Sequence, residues 1–382
     1  MAVADVQPAV TAVYAHVPFC FHKCHYCDFY SFVDADDRQP AYVARLESEI
    51  DALAPLVDGQ TIETVFVGGG TPTLLRPDLL RRALTALRDR LPLAADVEWT
   101  VEANPETVTE EIAAILTESG VNRTSVGAQS FHPQHLKTLE RWHDPVNVGR
   151  AVARLRAAGI RRLNIDLIFG IPGSTLDDWQ RDLASALALE PEHLSCYGLT
   201  YEPNTAMTKR LELGQFIACD EDLEAAMYEH TLDTLGAAGF EQYEISNFAK
   251  PGEACRHNLK YWRNADWWAL GPSASGHAQG VRWKNMPRIT SWLNGEGASP
   301  VVDVERVDRP TQTGELLMLG LRLREGIDRA TFDRCREGDR GVARVAVLDS
   351  GLARGLLEWH DDRLRFTRSG MLIADEVLAE LV

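Results

Sequence analysis

No run of about 18 apolar residues occurs in the 382 residues of this chain, so nothing in it has the length and character of a bilayer-spanning helix. Met1 to Thr11 carries neither the positive flank nor the apolar stretch of a secretory leader, and a cytoplasmic protein is the expectation. Positive charge is in short supply. Against 39 Lys and Arg stand 56 Asp and Glu, a formal charge of −17, which repels a polyanion and makes nucleic acid a poor partner. Internal repeats and low-complexity tracts are lacking too, which sets aside solenoid and fibrous classes.

What is present is the composition of a globular protein, 45% hydrophobic and 25% charged, long enough for two or three structural units with a core that needs no disulfide staples. The seven cysteines are an odd number. Cys20, Cys24 and Cys27 crowd together, whereas Cys196, Cys219, Cys255 and Cys335 are scattered, a usage that suits metal binding in a reducing compartment.

Six β-rich runs, Ala12–Val17, Glu63–Val67, Val97–Glu102, Arg123–Gly127, Leu163–Phe169 and Leu194–Leu199, alternate with helical patterns. This alternation predicts a parallel sheet, either doubly wound or an incomplete (β/α) barrel. The periodicity assigns residues 1–240 to this α/β unit and 241–304 to a Gly- and Trp-rich extension. Residues 305–382 form a second unit of three helices, a hairpin around Asp361-Asp362 and a last helix over Gly370–Leu381. That unit resembles a winged helix, but its 13 Arg, absence of Lys and 15 acids give a net of −2 and argue against DNA binding.

The three cysteines have the spacing C-x3-C-x2-C directly after the first strand. Three thiolates can hold three irons of a [4Fe–4S] cube and leave the fourth open to a small molecule. The alternative is a zinc site in which His22 or His25 completes a Cys3His set. The other polar signals follow the strands. Gly68-Gly69-Gly70-Thr71-Pro72 follows the second strand, where backbone N–H groups can approach a ligand. Glu102 ends the third strand, Gln129 follows the fourth and Asp166 lies in the fifth, so all of them converge on the carboxyl end of one sheet, the active face of a barrel.

Together, C-x3-C-x2-C and Gly-Gly-Gly-Thr-Pro resemble the radical SAM superfamily. Tyr14-Ala-His-Val-Pro-Phe-Cys20, the run from Gly120 to Phe131 and Asn164-Ile-Asp-Leu-Ile-Phe-Gly-Ile-Pro172 are similar to its coproporphyrinogen dehydrogenase-like branch. The resemblance implies a partial (β/α)6 barrel with a mostly helical, winged-helix-like C-terminal domain. It also implies a cluster held by Cys20, Cys24 and Cys27, with S-adenosylmethionine (SAM) on the open iron. The SAM-contacting positions it implies are Tyr14, Tyr26, Gly69, Gly70, Thr71, Glu102, Gln129, Arg141 and Asp166.

Within the branch two readings diverge. The dehydrogenases carry a further cysteine two residues after the triplet and a long N-terminal extension. Here that position is Phe29, and 13 residues precede Tyr14. The heme chaperones of the branch share H-N-x-x-Y-W, matched by His257-Asn258-Leu259-Lys260-Tyr261-Trp262, which implies a heme site on His257, Asn258, Tyr261 and Trp262. Imidazole can ligate iron, aromatic rings can border a macrocycle, and Arg256, Lys260 and Arg263 suit its propionates. His277 and Cys255 are further candidate iron ligands. The expectation is a chaperone that passes heme to acceptor hemoproteins of the respiratory kind, with homodimerisation and transient membrane contact in view. The rival is a dehydrogenase that generates a 5′-deoxyadenosyl radical.

Overall fold

The structure, a computed structural model, describes residues 10–382; Met1 to Ala9, most of the stretch read as lacking a leader, lie outside the described residues. Six strands run parallel and pair in sequence order: β1 (Ala12–Val17), β2 (Ile62–Gly69), β3 (Leu93–Ala103), β4 (Arg123–Gln129), β5 (Arg162–Phe169) and β6 (His193–Gly198). Helices α1 (Gln39–Leu53), α2 (Pro77–Arg90), α3 (Glu110–Ser119), α4 (Pro133–Thr138), α5 (Val146–Ala158) and α6 (Leu176–Leu187) lie between them. The six expected strands are all found, and the arrangement is the partial (β/α)6 barrel.

The alternation of side chains along each strand separates two environments. One face, with Val13, Ala15, Val17, Val65, Val67, Trp99, Val101, Val126, Leu163, Ile165 and Leu194, packs on the helices in one continuous apolar core. The other face looks into the lumen and is largely polar: Thr64, Glu98, Thr100, Arg123, Asn164, His193 and Ser195 are all buried. Local signals end the helices where expected. Thr109 caps α3 by accepting from the Ile112 N–H at 3.1 Å, and Gly120 and Gly159 close α3 and α5 at φ of 99° and 104°, the left-handed region that glycine enters freely.

Beyond β6 come α7 (Ala206–Glu212) and α8 (Glu221–Ala237), after which residues 241–304 build onto the barrel sheet. β7 (Glu241–Glu244) and β8 (Asn247–Ala249) extend it antiparallel beyond β6, and α9 (Arg256–Trp262) leads to β9 (Trp268–Leu270), which pairs parallel with β1 at the other edge. A small antiparallel sheet of β10 (Ser275–Ala278), β11 (Val281–Asn285) and β12 (Val301–Arg306) follows, with α10 (Ile289–Leu293) before its last strand. Trp292 of α10 is fully buried and donates to Glu49 at 2.6 Å, a packing role.

The C-terminal region comprises α11 (Arg309–Arg322), β13 (Ile327–Asp328), α12 (Arg329–Arg334), α13 (Gly341–Ala353), β14 (Leu357–His360), β15 (Arg363–Phe366), α14 (Arg368–Leu372) and α15 (Ala374–Ala379), around its own apolar core. The single terminal helix expected over Gly370–Leu381 is interrupted at Ile373, whose φ of −120° and ψ of 25° leave the helical region. Its first piece is pinned on the hairpin, where Gly370 abuts the Leu356 carbonyl, and its second packs on α11. The whole region meets the barrel beside α9: the Arg324 N–H donates to the Tyr243 carbonyl at 3.0 Å, and the Arg322 guanidinium sits 5.8 Å from the Trp262 ring.

Candidate functional site

At the carboxyl ends of the strands a cavity of about 420 Å³ opens, lined by Cys20, Cys24, Cys27, Tyr26, Gly69, Gly70, Thr71, Glu102, Gln129, Arg141 and Asp166 among others. Eight of the nine residues expected to contact SAM share this cavity with the three thiols.

Tyr14 is the exception. Strand alternation turns its ring into the lumen beneath the cavity, where its hydroxyl is taken by His16 Nδ1 at 2.9 Å and its ring lies 6.2 Å from Phe66. Tyr14 stands below the cavity and is not among the residues that line it.

The cysteine loop is held at several points. Cys20 N–H donates to the Phe32 carbonyl at 3.0 Å, the Phe32 N–H to Pro18 at 2.9 Å, and the Met207 N–H to His25 at 2.9 Å. The Thr71 hydroxyl points at Cys20 Sγ (3.6 Å) and Arg141 Nη1 at Cys24 Sγ (3.7 Å). Burial raises the Cys20 thiol, and the Thr71 hydroxyl aimed at its sulfur works against that rise.

The histidines weighed for a zinc site are engaged elsewhere. His22 stacks on Trp142, ring centroids 3.9 Å apart and 7° from parallel, and His25 Nδ1 meets Arg210 at 3.1 Å. Among the described residues neither imidazole forms a tight donor set with the thiols. Three thiols without a histidine partner, opening on a polar cavity, fit a cluster with one bare iron.

The cavity wall is built for a polar, charged ligand. Glu102 accepts from the Gly69 N–H at 2.9 Å. Burial pushes its carboxyl up to about 7, against that hydrogen bond and helped by the nearby Asp166. Burial also raises Asp166, opposed by donors from Ser125 and Asn164, each at 2.8 Å. Desolvation works against the Arg141 charge, but Tyr26 and Cys24 outweigh it and hold the guanidinium firmly protonated. Arg141 Nη2 donates to the Gly127 carbonyl at 2.8 Å, while its buried Nε has no partner, a donor left over for a ligand.

Gln129 sits at φ of 64° beside a bulge between β4 and β5. A non-glycine residue held there marks a position where strain serves a site. At Gly69, with φ of 103°, a Cβ would come within 2.2 Å of the His16 ring, so only glycine fits where β2 ends beside its parallel neighbour β1. Cavity residues that sequence reasoning missed include Ser125, Tyr197 and Trp142. Ser125 shared a face with Gly127 and could have been found from strand alternation; Trp142 carried no such signal.

The H-N-x-x-Y-W residues lie at the opposite end, where α9 closes the amino-terminal end of the lumen. Lys260 Nζ reaches Glu63 at 2.7 Å, and Arg256 reaches the Asp96 carbonyl at 2.9 Å. These are contacts to strand beginnings, and Arg263, the third member of the basic cluster, pairs with Glu325 at 3.0 Å.

His257 is buried, with Nδ1 on the Thr64 hydroxyl and Nε2 on the Tyr261 hydroxyl, both at 2.9 Å. Each ring nitrogen thus has a hydroxyl partner inside the barrel, so His257 of the expected heme set His257, Asn258, Tyr261 and Trp262 would have to give up one of these hydrogen bonds to ligate iron. His277 is buried with Nδ1 at 3.2 Å from the Ala265 carbonyl, and Cys255 is buried with Sγ at 3.5 Å from Glu98.

From α9 two lines of contact run up to the cavity. His257 stacks 5.4 Å from Phe66, which with Glu102 crowds Gly68. Asn258 donates to the Tyr243 hydroxyl at 3.1 Å. Tyr243 meets His193 at 2.9 Å, His193 meets Asn164 at 2.7 Å, and Asn164 donates to Asp166.

A partial barrel with a three-cysteine loop and a glycine-rich second strand defines a radical SAM protein, and the profile of the Radical SAM superfamily matches residues 14–186, that of the HemN C-terminal domain residues 307–373. The chain is 38% identical to the heme chaperone HemW of Mycobacterium tuberculosis (strain H37Rv), over 97% of this chain and 94% of that protein. It is 37% identical to the heme chaperone HemW of Escherichia coli (strain K12), over 96% and 97%. The chain belongs to the HemW family of the radical SAM superfamily. The coproporphyrinogen III oxidase HemN of E. coli shares the fold, with a TM-score of 0.84 at 20% identity over 99% of this chain and 91% of that one. Superfamily membership brings a [4Fe–4S] cluster and SAM, and the donor set fits both.

Proposed function

We propose that this protein is a heme chaperone: it binds heme and delivers it to acceptor hemoproteins, and it carries a [4Fe–4S] cluster that coordinates SAM. The observation that carries the reading is Phe29. Relatives at 37–38% identity over almost the whole chain are named heme chaperones, and Phe29 stands where the dehydrogenases of the branch have their further cysteine.

In this reading Cys20, Cys24 and Cys27 hold the cluster, and Arg141 and Thr71 stabilise the thiolates. Glu102, Gln129, Asp166, Gly69 and Gly70 orient SAM by its polar groups. When bound, the cluster supplies an iron open to the sulfonium cofactor. Among the described residues no helix is long and apolar enough to cross a membrane. The reading places the work in the cytoplasm, with respiratory hemoproteins as acceptors, transient membrane contact and a homodimer.

The test is a hemin titration of anaerobically reconstituted protein, followed by transfer to an apo-cytochrome, beside an assay for conversion of coproporphyrinogen III to protoporphyrinogen IX. Saturable hemin binding with transfer and no turnover is expected. Turnover without hemin binding would establish the dehydrogenase instead.

A further inference from the structure

Outside the cysteine cavity, one more group of metal-ligating side chains comes together among the described residues: His132, His135 and Asp178 each bring a donor atom within 4.8 Å of the other two. His132 is the N-cap of α4 and His135 lies one turn on, a spacing that puts both rings on one side, their centroids 4.5 Å apart. Asp178 stands in the first turn of α6. The loops after β4 and β5 bring the two helices together, and none of the three residues lines the cavity.

His135 is buried, 5% exposed, and its Nε2 has no hydrogen-bond partner although Asp178 Oδ2 stands 3.4 Å away. An ion pair does not account for this. Burial, with the neighbouring His132, pushes the His135 imidazole down against the pull of Asp178 and Asp182, toward its neutral form. The Thr175 hydroxyl, foremost, holds the Asp178 carboxyl down to about 2. A neutral imidazole nitrogen and an ionised carboxylate are the forms that ligate a metal, and two donors on a tetrahedral zinc stand about 3.3 Å apart. Asp178 Oδ1 accepts from Arg181 at 2.8 Å, a side chain 70% exposed that can swing aside, and it keeps a second lone pair. The His132 side chain is 44% exposed, with Nε2 3.9 Å from Asp178 Oδ1 and Nδ1 on the Gln134 N–H at 3.3 Å. Ligation through Nε2 moves the ring proton to Nδ1 and gives up that long contact.

We propose that His132, His135 and Asp178 form a zinc site that ties the loop after β4 to the start of α6. Two imidazoles and one carboxylate suit a borderline ion such as Zn2+ better than Mg2+ or Ca2+, which take oxygen ligands. Three protein ligands leave a fourth position, on the solvent side of His132, for water. Asp182, which accepts from the Ser130 hydroxyl and the Phe131 N–H, both at 2.6 Å, adds negative charge beside the two rings. Gln129, which lines the cavity, lies three residues before His132, so the ion braces the strand end that carries it. The site stands independently of the heme-chaperone reading.

The experiment titrates Zn2+ by calorimetry into the untagged, reconstituted full chain, in which the cluster occupies the three thiols, and into His132→Ala and His135→Ala, with iron per chain measured in each. One zinc per chain is expected for the wild type, bound about tenfold or more weakly by either variant. Zn2+ should also raise the thermal midpoint of the wild type by a few degrees and that of the variants by less. His132 is exposed, so its variant decides alone should His135→Ala fold poorly. Equal zinc affinity in wild type and His132→Ala overturns the site, as does the absence of zinc binding by the wild type. An equal rise in midpoint with Mg2+ also overturns it, because an acidic surface and not two imidazoles would then hold the ion.

Discussion

His257 Nε2 lies 2.9 Å from the hydroxyl of Tyr261, one turn further along α9, and its Nδ1 lies 2.9 Å from that of Thr64 on β2. Two residues of one motif thus satisfy each other inside the barrel, and the third partner ties them to the strand that ends in the glycines of the cofactor cavity.

Replacing His257 with alanine strands two buried hydroxyls and opens a void beside Phe66. A loss of about 2–4 kcal/mol in unfolding free energy is expected, read by urea denaturation. A variant as stable as wild type would show that the two hydrogen bonds contribute nothing to the fold.

Burial, with a smaller push from the Lys260 charge, lowers His257 to about 3, and burial likewise lowers His16 to about 4. A native imidazole that refuses a proton the unfolded chain accepts contributes stability that is fully present above the unfolded value and is lost as pH falls toward the folded one. Between pH 6.5 and 5 His257 alone is expected to cost about 2 kcal/mol. Urea unfolding of wild type and His257→Gln at both pH values checks this, and the variant should show the shallower loss.

Glu102 works in the opposite sense. Its carboxyl is raised to about 7 by burial, so the native state keeps a proton that the unfolded chain releases, and stability falls as pH rises from the ordinary carboxylate range through 7. Glu102→Gln removes the buried charge and should gain about 2 kcal/mol at pH 8. It should also weaken SAM about tenfold or more, by loss of a charge-assisted contact. Calorimetric titration with SAM at pH 8 reads the second effect, and unchanged affinity would take Glu102 out of the site.

Gln129 holds a left-handed backbone that glycine adopts without strain. Gln129→Gly should raise thermal stability, by about 1 kcal/mol at most, while lowering SAM affinity because the amide is gone. A variant that loses stability would show that the Gln129 side chain holds the strand end together.

Asn258 reaches Asp166 only through Tyr243, His193 and Asn164. Asn258→Ala should lower SAM affinity several-fold without altering iron content, since Asp166 would lose a relayed constraint while the thiols stay where they are. Equal SAM affinity in wild type and variant would show that the chain of hydrogen bonds ends short of the cofactor.

Much of this protein could be read from residue order. All six barrel strands and the cysteine loop came from local pattern, and the resemblance to the radical SAM superfamily supplied the SAM positions, eight of which share the cavity. A strand of alternating residues, a glycine after it and a helix cap at Thr109 are each set by neighbours a few positions away. Tyr14 faces the lumen one layer below the cavity: a motif shows that a tyrosine is present, and its position along the strand decides which layer of the lumen its hydroxyl meets. The stacking of Trp142 on His22 was not legible because the two residues lie far apart along the chain and meet only where the loops after β1 and β4 converge.

Sequence alone determined the class of chemistry, because three thiols at that spacing after a first strand, followed by a glycine-rich second strand, specify their own local geometry. Only the tertiary structure decided what the H-N-x-x-Y-W residues face. Whether an imidazole ligates a metal or braces a barrel depends on what stands opposite its two nitrogens, and for His257 one of those partners, Thr64, lies 193 positions away in the chain.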